Sequence, residues 1–172
     1  MEAVERRKEI LSILKSSERP VSAASLAARF DVSRQIIVGD IALLRAAGAD
    51  IQATPRGYLT AASSGRGQLV RQVACRHTSE DVRTELYAMV DEGVTVRDVI
   101  VEHPIYGQLT GMLLVRSRHD ADEFVRASMR TEAQPLSVLT QGIHLHTLIC
   151  PDEASYQRVL EKLRSLGFLY ES

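Results

Sequence analysis

Apolar residues in the first 48 positions recur at helical intervals. Val4, Ile10, Leu11 and Leu14 fall near one face of a segment from Glu2 to Lys15, broken by the charged run Glu5-Arg6-Arg7-Lys8-Glu9. Pro20 interrupts that pattern, Ser22 stands where an N-cap belongs, and Ala23 to Phe30 predicts a short second helix with Leu26 and Phe30 at i and i+4. Asp31-Val32-Ser33 makes a tight turn. Ser33 then caps a third helix, in which Ile37, Ile41 and Leu44 form one buried stripe before Gly48 ends it. Asp50 to Ala53 and Tyr58 to Thr60 read as two short strands around a Pro55-Arg56-Gly57 turn.

Two short helices joined by a tight turn, the second polar on its outer side, match the helix-turn-helix plan, and the hairpin that follows makes it a winged helix. Opposite Ile37 the third helix carries Gln35, Val38, Gly39 and Ala42, flanked by Arg34 and Arg45. Gln pairs with adenine, small apolar side chains touch thymine methyls, and Arg serves guanine or phosphate. The candidate DNA contacts are Ser33, Arg34, Gln35, Val38, Ala42 and Arg45 on this helix, with Arg56 and Tyr58 on the wing. A three-helix unit with one apolar stripe can instead be a dimerisation module; the order of turn, polar face and wing favours DNA.

Small polar residues without periodicity follow, from Ala61 to Gln68. They divide the chain into a winged helix at 1–62, a linker at 63–68 and a second domain at 69–172. Beyond them Leu69 to His77 reads as a strand, and Thr78 or Ser79 can cap a helix running to about Glu92, stopped by Gly93. Val94 to His103 and Tyr106 to Val115 are strands around Pro104, with Gly107 and Gly111 as expected irregularities. Asp120 to Thr131 is helical, and Leu136 to Cys150 contains a further strand. A last helix runs from Pro151 to about Ser165, and Gly167 to Tyr170 adds an edge strand. The fold class is α+β: a winged helix-turn-helix joined to a sandwich of one antiparallel-rich sheet with helices on one face.

Charge sharpens the division. Residues 1–62 hold nine Lys/Arg against seven Asp/Glu, and residues 63–172 hold twelve against fifteen, so the basic groups favour the end that reads as DNA-binding. The N-terminus has no signal-peptide core and no later run approaches a membrane span, which implies a cytoplasmic protein with no membrane partner. Cys75 and Cys150 are too few for a disulfide scaffold.

The chemistry of the second domain centres on Gly142-Ile143-His144-Leu145-His146-Thr147, because two histidines two residues apart on a strand share a face. Two nitrogens do not complete a metal site. His77 closes the first strand, and Glu85, about two turns into the following helix, can return to that strand's end. His144 and His146 are expected to face the side of the sheet without helices, or a strand end. Three imidazoles and a carboxylate suit Zn²⁺, Ni²⁺ or Fe²⁺, with Cys75 and Cys150 as rival ligands. Each histidine can equally be a half-buried polar residue with a satisfied hydrogen bond. His103, before Pro104, is a turn residue, a supporting group or an effector contact, and His119 is solvated surface.

Val32-Ser33-Arg34-Gln35, Asp40 to Arg45, the wing Ala53 to Tyr58, and the later His77, His103 and Gly142 to His146 resemble the nicotinate-responsive transcriptional repressors of NiaR type, over nearly the whole chain. In that family a helix-turn-helix domain precedes a three-histidine (3H) domain. The resemblance implies repression of niacin uptake and NAD synthesis genes, with nicotinic acid as co-repressor. It also implies one divalent transition metal per chain, nickel or zinc, on His77, Glu85, His144 and His146. A homodimer would then read an inverted repeat in operator DNA. The competing expectation is a metal-dependent enzyme acting on a pyridine carboxylate and fused to a DNA-binding domain, since three histidines with a vacant position also hold catalytic zinc.

Overall fold

The computed structural model describes residues 2–60 and 68–171. The chain divides into two compact units, Met1–Arg66 and Gly67–Ser172. The boundary expected at 62 and nearly all of the expected 63–68 linker lie outside the described residues.

In the first unit α1 is Ala3–Ser16, α2 Ala23–Phe30 and α3 Arg34–Ala46. The caps are those the sequence offers: Ser22 Oγ accepts from Ser25 N–H at 3.0 Å, and Ser33 Oγ from Ile36 N–H at 3.3 Å. Asp31 makes the turn between α2 and α3 in the left-handed region, at φ 53°, a conformation Asp tolerates better than most residues. Ile10, Leu14, Leu26, Ile37, Ile41 and Ile51 close the core, where shortening one such side chain to Ala costs about 2–5 kcal/mol.

Asp40 falls on the same buried stripe of α3. Arg6 Nε lies 2.6 Å and Arg7 Nη1 3.4 Å from its carboxylate, so the charged run of α1 has an inward job, tying α1 to α3. The wing is β1, Ile51–Thr54, antiparallel to β2, Gly57–Thr60. Val21 adds a pairing the sequence did not suggest, exchanging two 2.9 Å backbone hydrogen bonds with Tyr58. That approach explains Gly57, which sits at φ 136° and whose missing Cβ would lie 2.3 Å from the Val21 carbonyl oxygen.

The second unit contains β3 Leu69–Arg76, α4 Val82–Val90, β4 Thr95–His103, β5 Gly107–Val115, α5 Arg118–Arg130, β6 Ile143–Cys150 and α6 Glu153–Ser165. The strands form one antiparallel sheet in the order β3-β6-β4-β5. The helices cover one face through Leu86, Met89, Val159 and Leu163, which pack on Val73, Val96, Val115 and Leu148. Backbone of the 168–170 segment lines the free edge of β3, with Arg76 N–H donating to Phe168 O at 2.8 Å and Tyr170 N–H to Ala74 O at 2.9 Å.

Three local expectations change. Thr78 Oγ1 bonds the Asp81 carboxylate at 3.1 Å instead of capping backbone, and a 3-10 turn at Ser79–Asp81 delays α4 to Val82. Glu85 therefore stands in the first turn of α4, not two turns in. In β5 Gly107 is irregular as expected, at φ 69°, and Leu114 adds a second positive φ, at 50°, whereas Gly111 stays in the ladder opposite Val99. Gly111 leaves room for Leu136, whose Cδ1 would lie 3.3 Å from a Cβ placed there. Finally α5 begins at Arg118, because Ser117 rather than a later residue supplies its cap, accepting from Asp120 N–H at 3.2 Å.

Candidate functional site

Strand alternation puts His144 and His146 on the same face of β6 as Leu148 and Cys150, the face the helices cover. This corrects the expectation of an open face. Both rings can be buried, each 3% exposed, because Glu85, 1% exposed, projects from α4 into the same layer and gives them a charged partner. His77, just past the end of β3, joins them. Its Nε2 lies 2.7 Å from Glu85 Oε2, His144 Nε2 lies 2.7 Å from Oε1, and His146 Nε2 lies 3.2 Å from Oε1. The His144 ring meets those of His77 and His146 edge-on, at 4.8 and 4.9 Å between centroids.

Backbone carbonyls hold the other side of every ring. His77 Nδ1 lies 2.7 Å from Thr78 O, His144 Nδ1 2.8 Å from Gly142 O, and His146 Nδ1 2.8 Å from Asp98 O. A carbonyl only accepts, so each Nδ1 carries the proton, and a neutral ring then presents Nε2 as a bare lone pair. Outer partners of this kind orient metal-ligating histidines. Two local irregularities supply them. Gly142 sits at φ 90° with its absent Cβ position only 2.4 Å from His77 O, so the Gly-Ile-His motif passes against His77 where no side chain fits. At Asp98 the β4 strand carries one extra residue relative to β6, a bulge that places the Asp98 carbonyl at His146 while its buried carboxylate accepts from Thr147 N–H at 3.0 Å.

Three lone pairs and a carboxylate facing one another repel unless positive charge lies among them. Nε2 of His77 and of His146 are buried without a hydrogen-bond partner, their approach to Glu85 being close but badly angled. The proton equilibria report the same demand. Burial opposes charge on His77 and His146, but Glu85 outweighs it and raises both above the usual imidazole value. Burial also opposes ionisation of Glu85, and the imidazoles overcome it, led by the charge on His146, holding the carboxyl well below the usual range. The donor set, nitrogen and oxygen atoms in a buried, pre-oriented cluster, fits a divalent transition metal.

Of the rival ligands, Cys75 opposes His144 in the β3–β6 ladder, and its thiol is pushed up by burial and by Glu85. Cys150 pairs with Leu69 at the far end of that ladder. His103 is not brought to the cluster. Its Nδ1 accepts from the backbone N–H groups of Ile105 and Tyr106, at 3.1 and 3.3 Å, so it organises the β4–β5 turn. It also lines an open cleft of about 900 Å³ together with Ile100, His144, Leu145 and Tyr170. A smaller cleft, about 420 Å³, borders His77 with Arg76, Gln141 and Phe168. His119 is exposed on α5, 3.4 Å from Glu123.

In the first unit Ser33, Arg34, Gln35, Ala42 and Arg45 are exposed along α3, and Val38 is half-buried. Ser33 spends its hydroxyl on the helix cap. Tyr58 is half-buried against the three-helix core, which gives it a packing role the sequence had not separated from its place on the wing. Arg34 and Arg56 line one cleft of about 300 Å³ with Ser22 and Ala23 at the start of α2, so the wing and α3 present cations to a common space.

A winged helix-turn-helix unit and a sheet-and-helix unit built around buried histidines define a two-part DNA-binding protein. Residues 6–59 match the family model of an HTH domain and residues 70–172 that of the 3H domain. The chain is 44% identical over 167 residues, 97% of its length and 94% of the relative's, to the probable transcription repressor NiaR of Thermotoga maritima. It is 43% identical over 166 residues, 95% of its length and 92% of the relative's, to the transcription repressor NadR of Bacillus subtilis. The chain belongs to this family of transcription repressors, which join an HTH domain to a 3H domain. Among the described residues no helix is long and apolar enough to cross a membrane.

Proposed function

We propose that the protein is a transcription repressor of niacin uptake and NAD biosynthesis genes. A homodimer binds operator DNA through its winged helices, in the cytoplasm, with nicotinic acid as co-repressor sensed by the metal-containing 3H domain. The single observation behind the sensor is the convergence of three carbonyl-pinned imidazoles on one buried carboxylate, an arrangement that calls for a cation.

His77, Glu85, His144 and His146 would hold the ion, nickel or zinc, one per chain. When bound, it supplies a Lewis-acid position for a carboxylate or a pyridine nitrogen. His103 contacts the effector from the larger cleft through Nε2, since Nδ1 is occupied by the turn. On the DNA side Gln35, Val38 and Ala42 of α3 face the base edges in the major groove, while Arg34, Arg45 and Arg56 meet phosphates or guanine. Ser33 and Tyr58 hold helix and wing in place beside the backbone. Effector binding selects one spacing of the two winged helices, and linkage requires DNA to tighten effector binding by the same factor.

Both relatives are named as repressors, and the site's carboxylate is engaged by imidazoles instead of standing free as a general base, so the regulator is favoured over a metalloenzyme. The test is fluorescence anisotropy of a labelled inverted-repeat operator with metal-loaded protein, with and without nicotinate. Tighter binding with nicotinate, lost on chelation, is the expected result; an operator affinity that ignores nicotinate sinks the proposal.

A further inference from the structure

We propose that Cys75 is a sulfur donor to the same cation site, which makes the site thiophilic; this rests on the reading that the histidine–glutamate cluster holds a metal. Cys75 has no exposed surface and stands opposite His144 across the β3–β6 ladder. Its Sγ, a carboxylate oxygen of Glu85 and a ring nitrogen of His144 all lie within 4.8 Å of one another. An independent observation points to a ligand in the same place. Nε2 of His77 and Nε2 of His146, on side chains 1% and 4% exposed, approach Glu85 without a hydrogen-bond partner.

Packing alone does not account for a thiol beside a carboxylate and an imidazole. Cys150 shows the contrast. It is also buried, it lies on the same face of the sheet, and it pairs with Leu69, outside any such group of metal-ligating side chains among the described residues. Adding sulfur to the nitrogen and oxygen set shifts its preference toward zinc and other soft ions, because polarisable thiolate binds these far better than it binds hard cations. Ligation breaks the S–H bond, sends that proton to solvent and forms a sulfur–metal bond, with no change of oxidation state.

The experiment is a Co²⁺ titration of metal-free, full-length protein followed by absorption spectroscopy. Wild type is expected to show visible d–d bands together with an intense near-ultraviolet thiolate-to-cobalt charge-transfer band. Cys75→Ser should lose the near-ultraviolet band and keep the visible ones, and Cys150→Ser should keep both. X-ray absorption of the zinc-loaded wild type decides the point without any variant, through a sulfur shell at about 2.3 Å. Visible bands without the near-ultraviolet band in wild type, a band that survives Cys75→Ser, or a zinc shell free of sulfur overturns the assignment and leaves the histidine–glutamate site standing. If cobalt gives no d–d bands in any of these proteins, the metal reading falls, and the sulfur donor with it.

Discussion

Helices α3 and α4 use the same architecture in opposite senses. On α3 Arg34, Gln35, Ala42 and Arg45, the proposed DNA contacts, point outward, while Ile37 and Ile41 anchor the helix. On α4 the group with chemistry, Glu85, points inward among Leu86, Met89 and the sheet, and only Arg83 and Thr84 are exposed. An outward-facing site can be altered with little effect on folding. An inward-facing one cannot, because a charge at 1% exposure is tolerated only while its partners are present. The chemistry of the buried cluster and stability are thus coupled in the second unit, whereas the exposed residues of α3 are separable from stability in the first.

The sharpest test of that contrast removes the inward charge. Glu85→Gln should lower transition-metal affinity at least 100-fold, about 2.7 kcal/mol or more, beyond the loss expected for an outer partner. It should also lower the melting temperature of the metal-loaded protein; isothermal titration and thermal melts read both. Retained metal affinity would show that the carboxylate is a spectator.

Metal removal exposes the proton linkage. His77 and His146 have raised pKa values in the folded chain, so their contribution is complete below the ordinary histidine value of about 6.5 and is lost as pH rises through the raised values. Glu85 is depressed, so its contribution is complete above the ordinary carboxylate value of about 4.3 and is lost as pH falls through the lowered value. Chelator-treated protein should therefore melt highest between about pH 4.3 and 6.5 and weaken toward alkaline pH. Stabilisation by added metal should grow over that same rise, since the ion replaces those protons. A melting temperature that climbs steadily with pH in the chelated protein would contradict the proton-filled cluster.

On the outward side Gln35→Ala should weaken operator binding by about 1–3 kcal/mol and relax discrimination at one base pair. Its folding stability should stay within about 0.5 kcal/mol of the parent, read from denaturant melts. A large loss of stability instead would mean that α3 is no simpler than α4. The smallest effect is expected at Gly39, exposed on α3 with nothing within 4 Å of a built Cβ. Gly39→Ala should stabilise the first unit by about 0.5–1 kcal/mol, and any accompanying fall in operator affinity would mark close approach of DNA to that point.

Much of the architecture is legible in the chain itself. The serine caps, the apolar stripe of α3 and the Pro-Arg-Gly turn are local signals, set by hydrogen bonds and dihedral preferences within a few residues. The pairing of His144 with His146 is equally local, since a strand repeats every two residues. Which face they occupy is not, because that depends on α4 being laid across the sheet with Glu85 aimed inward. The inward role of Asp40, the pairing of Val21 with Tyr58 and the bulge at Asp98 likewise join segments far apart in sequence. The carbonyls of Thr78, Gly142 and Asp98 carry no side-chain signal at all.

The sequence by itself therefore determined the two-part order, helix-turn-helix first and sheet domain second, and the residue types available to a cation, because composition and periodicity are local properties. Only the tertiary structure decided that His77, Glu85, His144 and His146 converge, in the helix-covered layer and with Cys75 beside them. Convergence is a property of strand register and helix crossing, which long-range packing sets.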